Sequence, residues 1–334
     1  MTNKYKKLSA FEYINRFPLA GKAVETKCNA THNAPLLHVY ALDDMFLYPS
    51  GMVIGKDRIA IKDSIIRDAH INMLLDQMAN ENEETDYIKL DGEFVSLLGP
   101  WSNGFWHWMM EFLHKAIMAE ATGFTGQYIV LQEQSAFVFS SLEMLGIKQE
   151  RILFYDINKT VLITRLFVPE RVAVGCDAKY LFLLNRLRTK LLNGISIQNN
   201  NLKRIYISRK NAKNGRKIVN ETGLLQLLEK YNFEAVFMEQ KSLKEQIELM
   251  ANADWLIGGN GAGIFHCLFM PESSFIIELF SPNYINPCML SAVELIRHKY
   301  FPITSPHIGE YKFGSDIQAP INLIGLTLRN QLQN

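Results

Sequence analysis

The sequence predicts an α/β protein built from two parallel-sheet domains. Three observations carry that prediction. Short apolar runs alternate with helix-length segments in both halves of the chain, which is the pattern of βαβ units. The chain has 334 residues, comfortable for two domains of about 150 each. Near residue 258 a glycine-rich turn joins an apolar run to a short helix, an arrangement that presents main-chain amides to an anion.

Residues 1–25 are polar, with a short helical stretch near Ala10–Arg16. From about Leu36 to Ile66 the pattern is β, with strand-like runs at Leu37–Leu42, Met45–Tyr48, Met52–Ile54 and Ile59–Ile61. A helix is expected around Ile71–Met78, ahead of an acidic stretch, Glu81–Asp86, that reads as a solvated loop. Tyr87–Leu90 and Phe94–Leu98 are expected to form a hairpin about Asp91-Gly92. A helix then covers about Phe105 to Ala121, followed by strand Tyr128–Leu131, helix Ser135–Leu145, and strands Ile152–Tyr155 and Val161–Val168. Helix Asp177–Leu192 ends at Asn193-Gly194. The Asn-rich residues 194–202 read as a linker.

The second half alternates more regularly. Strand Arg204–Ser208 leads to helix Glu221–Lys230, and strand Ala235–Met238 to helix Leu243–Asn252. Trp255–Ile257 is the next strand, of the apolar kind buried in parallel sheets. The turn Gly258–Gly263 follows, then a short helix Ile264–Met270, strand Phe275–Ile277 ending on Glu278, and helix Cys288–His298. Ile321–Leu332 fits a strand or a helix. The expected division is an acceptor-binding domain at 1–193, a nucleotide-binding domain at 203–300, and a tail at 301–334 that could pack back on the first domain.

Composition limits the function. A net charge of +1 argues against a general nucleic-acid binder. Cys28, Cys176, Cys267 and Cys288 lie far apart without a C-x-x-C pair, which suits reduced thiols and supplies no zinc site. No apolar run approaches the roughly 18 residues needed to span a bilayer, and no apolar h-region follows the basic N-terminus. The expected location is the cytoplasm, with peripheral contact at the inner face of the membrane left open.

Two constellations could carry chemistry. Helix 105–121 is apolar almost all round, so it should be buried. Yet His107, Glu111 and His114 share one stripe at i, i+4 and i+7. A buried polar stripe must be paired or must face a cleft. Acid–base work by Glu111 or His107, metal coordination, and satisfied core polar groups all remain open at this point. The second constellation is the loop after strand Arg204–Ser208. Residues 203–217 hold seven positive charges and no acid, including Arg209, Lys210, Lys213, Arg216 and Lys217. The plain alternative is a solvated loop. If the Gly261 turn follows a neighbouring strand, however, Arg209 and the helix N-terminus could converge on one phosphate. The spacing Gly259-x-Gly261-x-Gly263 fits neither a G-x-G-x-x-G fingerprint nor a P-loop. Glu278 is placed for ribose hydroxyls.

These pieces together resemble glycosyltransferase family 61. The matching segments are His107-Trp108-Met109-Met110-Glu111, Tyr206-Ile207-Ser208-Arg209, Val219-Asn220-Glu221, Phe233–Val236, Ser242–Gln246, Gly259–Gly263 and Ile277–Pro282. The chain departs from the family at Asn260, where His is usual, and at Glu111, where Asp is common. The resemblance implies a GT-B architecture, two Rossmann-like domains facing across a cleft. It also implies an inverting transferase that uses a nucleotide-sugar, usually UDP-linked. With no D-x-D motif, no metal and no cofactor are expected. Arg209, Lys213, Asn260, Gly261, Ala262, Gly263 and Glu278 would hold the donor. Glu111 would act as base with His107 orienting the acceptor, and Trp108 and His114 would contact it. The expected role is bacterial surface-polysaccharide synthesis on a saccharide or lipid-linked saccharide acceptor. Two rivals are a non-catalytic sugar- or nucleotide-binding protein and a nicotinamide-dependent oxidoreductase.

Overall fold

The computed structural model describes residues 22–25, 35–64, 87–131, 135–156, 159–198, 202–211, 216–286, 288–310 and 314–332. The helices expected near Ala10–Arg16 and Ile71–Met78, the acidic stretch and Lys213 lie outside them. The chain divides into two compact units, residues 1–187 and 188–334, so the boundary falls inside helix Ala178–Leu192.

The first unit is organised on a mixed sheet. Its strands are β1 (Lys22–Glu25), β2 (His38–Leu47), β3 (Val53–Ile54), β4 (Ile88–Ser96), β5 (Gln127–Leu131), β6 (Ile152–Tyr155) and β7 (Val161–Pro169). The order is β1-β2-β7-β4-β5-β6, with β3 beside β2. Strands β7, β4, β5 and β6 run parallel, whereas β2 is antiparallel to β7 and β1 to β2. Leu42, Leu47, Phe94, Ile129, Ile163 and Leu166 belong to its buried core.

Tyr87–Leu98 is not a hairpin. Residues 88–96 form one strand whose register against β7 shifts between Leu90 and Glu93. Gly92 takes φ 133°, and its N–H donates to Thr164 Oγ1 at 3.0 Å. The Asp91-Gly92 signal marks a bulge, because a side-chain hydroxyl on β7 satisfies the amide that a turn would have released.

Residues 105–121 are helical, but not uniformly. An α turn at Phe105–His107 opens into a π segment, Trp108–Phe112, and the α-helix resumes at Leu113–Ala121. Leu113 N–H reaches back to the Trp108 carbonyl. The extra residue in that turn re-aims Glu111 relative to a regular helix. Trp108, Met109, Met110, Phe112, Leu113 and Ala116 are fully buried, as expected for a helix apolar all round.

The second unit is a wholly parallel sheet: β8 (Lys203–Ile207), β9 (Phe233–Val236), β10 (Ala253–Gly259), β11 (Phe275–Phe280) and β12 (Lys299–Thr304). Its order is β12-β11-β10-β8-β9. Read by chain position this is the doubly wound 2-1-3-4-5 arrangement, whose switch point lies between β8 and β10. Helix Glu221–Glu229 packs with helix Ile321–Leu332, and the 3-10 helix Ala262–Phe269 packs with helices Leu243–Ala251 and Leu290–Ile296. A capping box, Ser242 with Glu245, starts Leu243–Ala251.

Residues beyond 300 are spent within this unit. Strand β12 pairs with β11, and Ile324 and Leu328 join Leu224, Leu228, Trp255 and Ile277 in its core. Residues 314–320 run beside 216–220. Arg216 N–H donates to the Gly314 carbonyl at 3.1 Å, and Ile317 N–H to the Lys217 carbonyl at 2.9 Å. Asn220 exchanges two hydrogen bonds with the main chain of Ala319. No helix among the described residues is long and apolar enough to cross a membrane.

Candidate active site

Two clusters of chemically capable side chains emerge, one in each unit. In the first, the connection from β4 passes through residues 97–104 into helix 105–121. His107 Nδ1 lies 2.7 Å from Glu111 Oε2. A carboxylate accepts, so His107 Nδ1–H is the donor of this pair. The His107 side chain is 24% exposed and that of Glu111 only 8%. The imidazole is therefore the more exposed member of the dyad, and the carboxylate orients its ring. The His107 ring sits between two indoles, with centroids 5.1 Å from Trp101 and 4.9 Å from Trp106.

The predicted stripe does not stay together. His114 is buried, its ring edge-on to Tyr180, and its Nε2 has no hydrogen-bond partner among the described residues. Burial pushes it down to about 4, so it is neutral at pH 7. It lines a small cavity of about 40 Å³ with Glu111, Lys115, Asp63, Glu170 and Arg171. Burial also lowers Lys115 to about 8, against the opposing pull of Glu111 and Asp63. Trp108, expected to touch an acceptor, is fully buried, and its Nε1–H donates to Ser141 Oγ at 2.8 Å. It is core, since it lies on the face of the helix that packs inward.

In the second unit, Arg209 leaves the C-terminal end of β8, and Asn260–Gly263 leaves that of neighbouring β10. They meet at the switch point. A Cβ placed on Gly261 would lie 2.3 Å from Arg209 Nη1, and one on Gly259 3.1 Å from Arg209 Cδ. A side chain at 261 would displace the end of Arg209, so the absence of a Cβ lets the guanidinium lie directly against the turn. Arg209 Nε–H donates to the Arg216 carbonyl at 3.3 Å. The Arg216 guanidinium lies 5.2 Å from the Tyr284 ring centroid, and its buried Nε has no hydrogen-bond partner among the described residues. Burial first, and then Arg216, lower Arg209 to about 10; Glu239 and Asp316 act the other way. Two like charges are held together here in a partly desolvated place, which costs free energy.

Asn260 and Glu278 serve this turn from beneath. Asn260 is buried, and its Nδ2 donates to Glu278 Oε1 at 2.7 Å and to the Asn286 carbonyl at 3.2 Å. Its Oδ1 accepts from Arg216 Nη1 at 3.4 Å. Tyr300 donates to Glu278 Oε2 at 2.8 Å. Glu278 has no exposed surface, and burial pushes it up to about 7 against both donors. Both residues therefore anchor the turn. Neither presents a free group to a donor's ribose or phosphate. The apolar run ahead of Glu278 forecast its strand, but not that the strand would be covered at both faces.

Arg216 carried a signal, the acid-free basic loop, without a reason to rank it above its neighbours. Trp101 and Tyr300 carried none. Among the described residues no group of three or more His, Cys, Asp or Glu is arranged to hold a metal ion.

A doubly wound sheet with a guanidinium-flanked glycine turn at its switch point defines an α/β protein with positive charge gathered at the carboxyl edge of its parallel strands. The particular family follows from comparison: the glycosyltransferase 61 family model matches residues 105–277, more than half of the chain and including His107, Glu111, Arg209, Arg216 and the Asn260–Gly263 turn. The chain belongs to that family. It is also 38% identical over 79 residues to the EGF domain-specific O-linked N-acetylglucosamine transferase of Drosophila melanogaster. That match spans 23% of this chain and 15% of the relative.

Proposed function

We propose that this chain moves a sugar from a nucleotide-sugar, UDP-linked, to a saccharide hydroxyl, with inversion and without a divalent metal. The observation that carries the reading is the Arg209 guanidinium laid on Gly261 beside Arg216. A departing nucleoside diphosphate carries negative charge that suits two neighbouring guanidiniums. Arg209, Arg216 and the amides of Gly261, Ala262 and Gly263 supply the donors and positive charge that would stabilise it. Asn260 and Glu278 hold the turn in position.

In the first unit, His107 Nε2 takes the proton from the acceptor hydroxyl as its oxygen attacks the anomeric carbon. Glu111 orients the imidazole and stabilises the imidazolium that forms. This reverses the expected roles of Glu111 and His107, because the histidine is the more exposed partner. The acceptor class is a saccharide of a surface polysaccharide. The Drosophila relative is named for N-acetylglucosamine transfer, so UDP-N-acetylglucosamine is the first donor to assay.

The test is a thermal-shift screen against UDP, GDP, CMP, UDP-sugars and NAD, with and without EDTA. A ligand at about 100 times its Kd stabilises by roughly 2.7 kcal/mol. A UDP shift that survives EDTA is expected. A shift abolished by EDTA would overturn metal independence, and a shift with NAD alone would overturn the donor assignment.

A further inference from the structure

We propose that Trp101 is the acceptor platform, an aromatic surface on which the apolar C–H face of the acceptor sugar stacks while its hydroxyl meets His107. The inference rests on the glycosyltransfer reading above and adds the residue that recognises the acceptor.

Three observations converge on this indole. Trp101 is 50% exposed, whereas Trp108 and Trp255 are the buried tryptophans of the two cores. Its ring centroid is 5.1 Å from that of His107, with the planes tilted by 31°. Its backbone sits at φ 64°, a left-handed conformation uncommon for a bulky L-residue and costly for it. Such strain persists only where the surroundings impose it.

The surroundings do so here. Ser102 N–H donates to the Gly99 carbonyl at 3.1 Å and Gly104 N–H to the Trp101 carbonyl at 2.7 Å, so consecutive turns pin the residue from both sides. Ser102 is buried beside it. Upstream, Leu97 N–H donates to the Ile129 carbonyl at 2.9 Å, and Gly51 packs so closely that a Cβ there would meet the Leu98 carbonyl oxygen at 2.3 Å. The loop backbone is tied to the sheet while half of the indole surface stays exposed beside the His107 ring. A glycine would meet the backbone requirement without strain; the indole adds a half-exposed ring next to the dyad. Sugar C–H bonds carry partial positive charge and meet the negative face of an aromatic ring, and the large flat surface excludes water at little entropic cost.

The experiment compares wild type with Trp101→Gly and Trp101→Phe. Transfer from UDP-sugar is followed to a panel of methyl and p-nitrophenyl glycosides, and binding of the same glycosides is followed by saturation-transfer NMR. Trp101→Gly is expected to melt at or above the wild-type temperature, to raise acceptor KM about 10-fold with a smaller change in kcat at saturating acceptor, and to leave the UDP thermal shift unchanged. Trp101→Phe is expected to stay within about 3-fold of wild type, since a ring remains. An unchanged acceptor KM in Trp101→Gly overturns the platform. So does a Phe variant as poor as the Gly variant, or a wild type that contacts no glycoside. The UDP shift is read separately: if it persists, only the platform falls; if it is absent, the donor reading has failed as well.

Discussion

The two clusters solve opposite electrostatic problems. In the first unit a histidine faces a carboxylate, at 2.7 Å within one helix. That pair is satisfied before any substrate arrives, and its cost is offset locally. In the second unit the Arg209 and Arg216 side chains share the space beside a glycine turn, and burial together with Arg216 lowers Arg209 while Glu239 and Asp316 act the other way. A paired dyad marks a place where protons are managed. Two neighbouring guanidiniums mark a place that favours a negative ligand.

The comparison breaks most visibly at the dyad. His107→Ala is expected to lower kcat by roughly 10²–10⁴-fold with the UDP shift intact. Glu111→Gln should fall less far, because a glutamine oxygen can still accept from Nδ1–H. Steady-state kinetics on both variants decides the roles: a Glu111→Gln loss exceeding that of His107→Ala would return the base to Glu111.

The next effect sharpens the other side. Arg209→Met removes one of the two like charges while keeping much of the volume. UDP affinity should drop about 10–100-fold, and the ligand-free protein should melt at a higher temperature than wild type. Calorimetry with and without UDP measures both. A ligand-free protein destabilised by this change would show that Arg209 is a structural residue.

The last effect concerns stability and the anchor under the turn. Glu278 is raised from 4.5 to about 7 in the fold. The native state therefore binds more protons than the unfolded chain between those values, and stability falls as pH rises through that window. The loss is complete above about pH 7 and reaches up to about 3 kcal/mol. His114 and His266, both held near 4 by burial, act oppositely, costing stability as pH falls below 6.5. Glu278→Gln keeps an acceptor for Asn260 and removes the first slope. Its stability relative to wild type, from denaturant melts, should grow between pH 5 and 7 and level off by pH 8. A difference independent of pH would refute this account.

Much of the architecture was legible in the chain. Alternating apolar runs and helices announced both sheets, and the glycine turn, the acid-free basic loop and the His107–Glu111 spacing were visible as patterns. These features are local. They follow from backbone sterics at glycine, from the i,i+4 geometry of a helix, and from the apolar content of buried parallel strands. The sites were legible only as sets of residue types. Trp108 and Glu278 read as ligand contacts, but burial covers both.

Local pattern by itself determined that the chain would form βαβ units and where an imidazole could meet a carboxylate. Tertiary structure alone decided which strands became neighbours, and so that Arg209 and Gly261 share the β8–β10 switch point. It decided that residues 314–320 hold Arg216, that a π segment re-aims Glu111, and that Trp101 stays in solvent at a strained φ. The physical reason is range. Periodicity reports which side of an element is apolar over a few residues, whereas exposure and charge proximity depend on segments about 100 positions away, such as Gly314 against Arg216, whose pairing is set by packing of the whole unit.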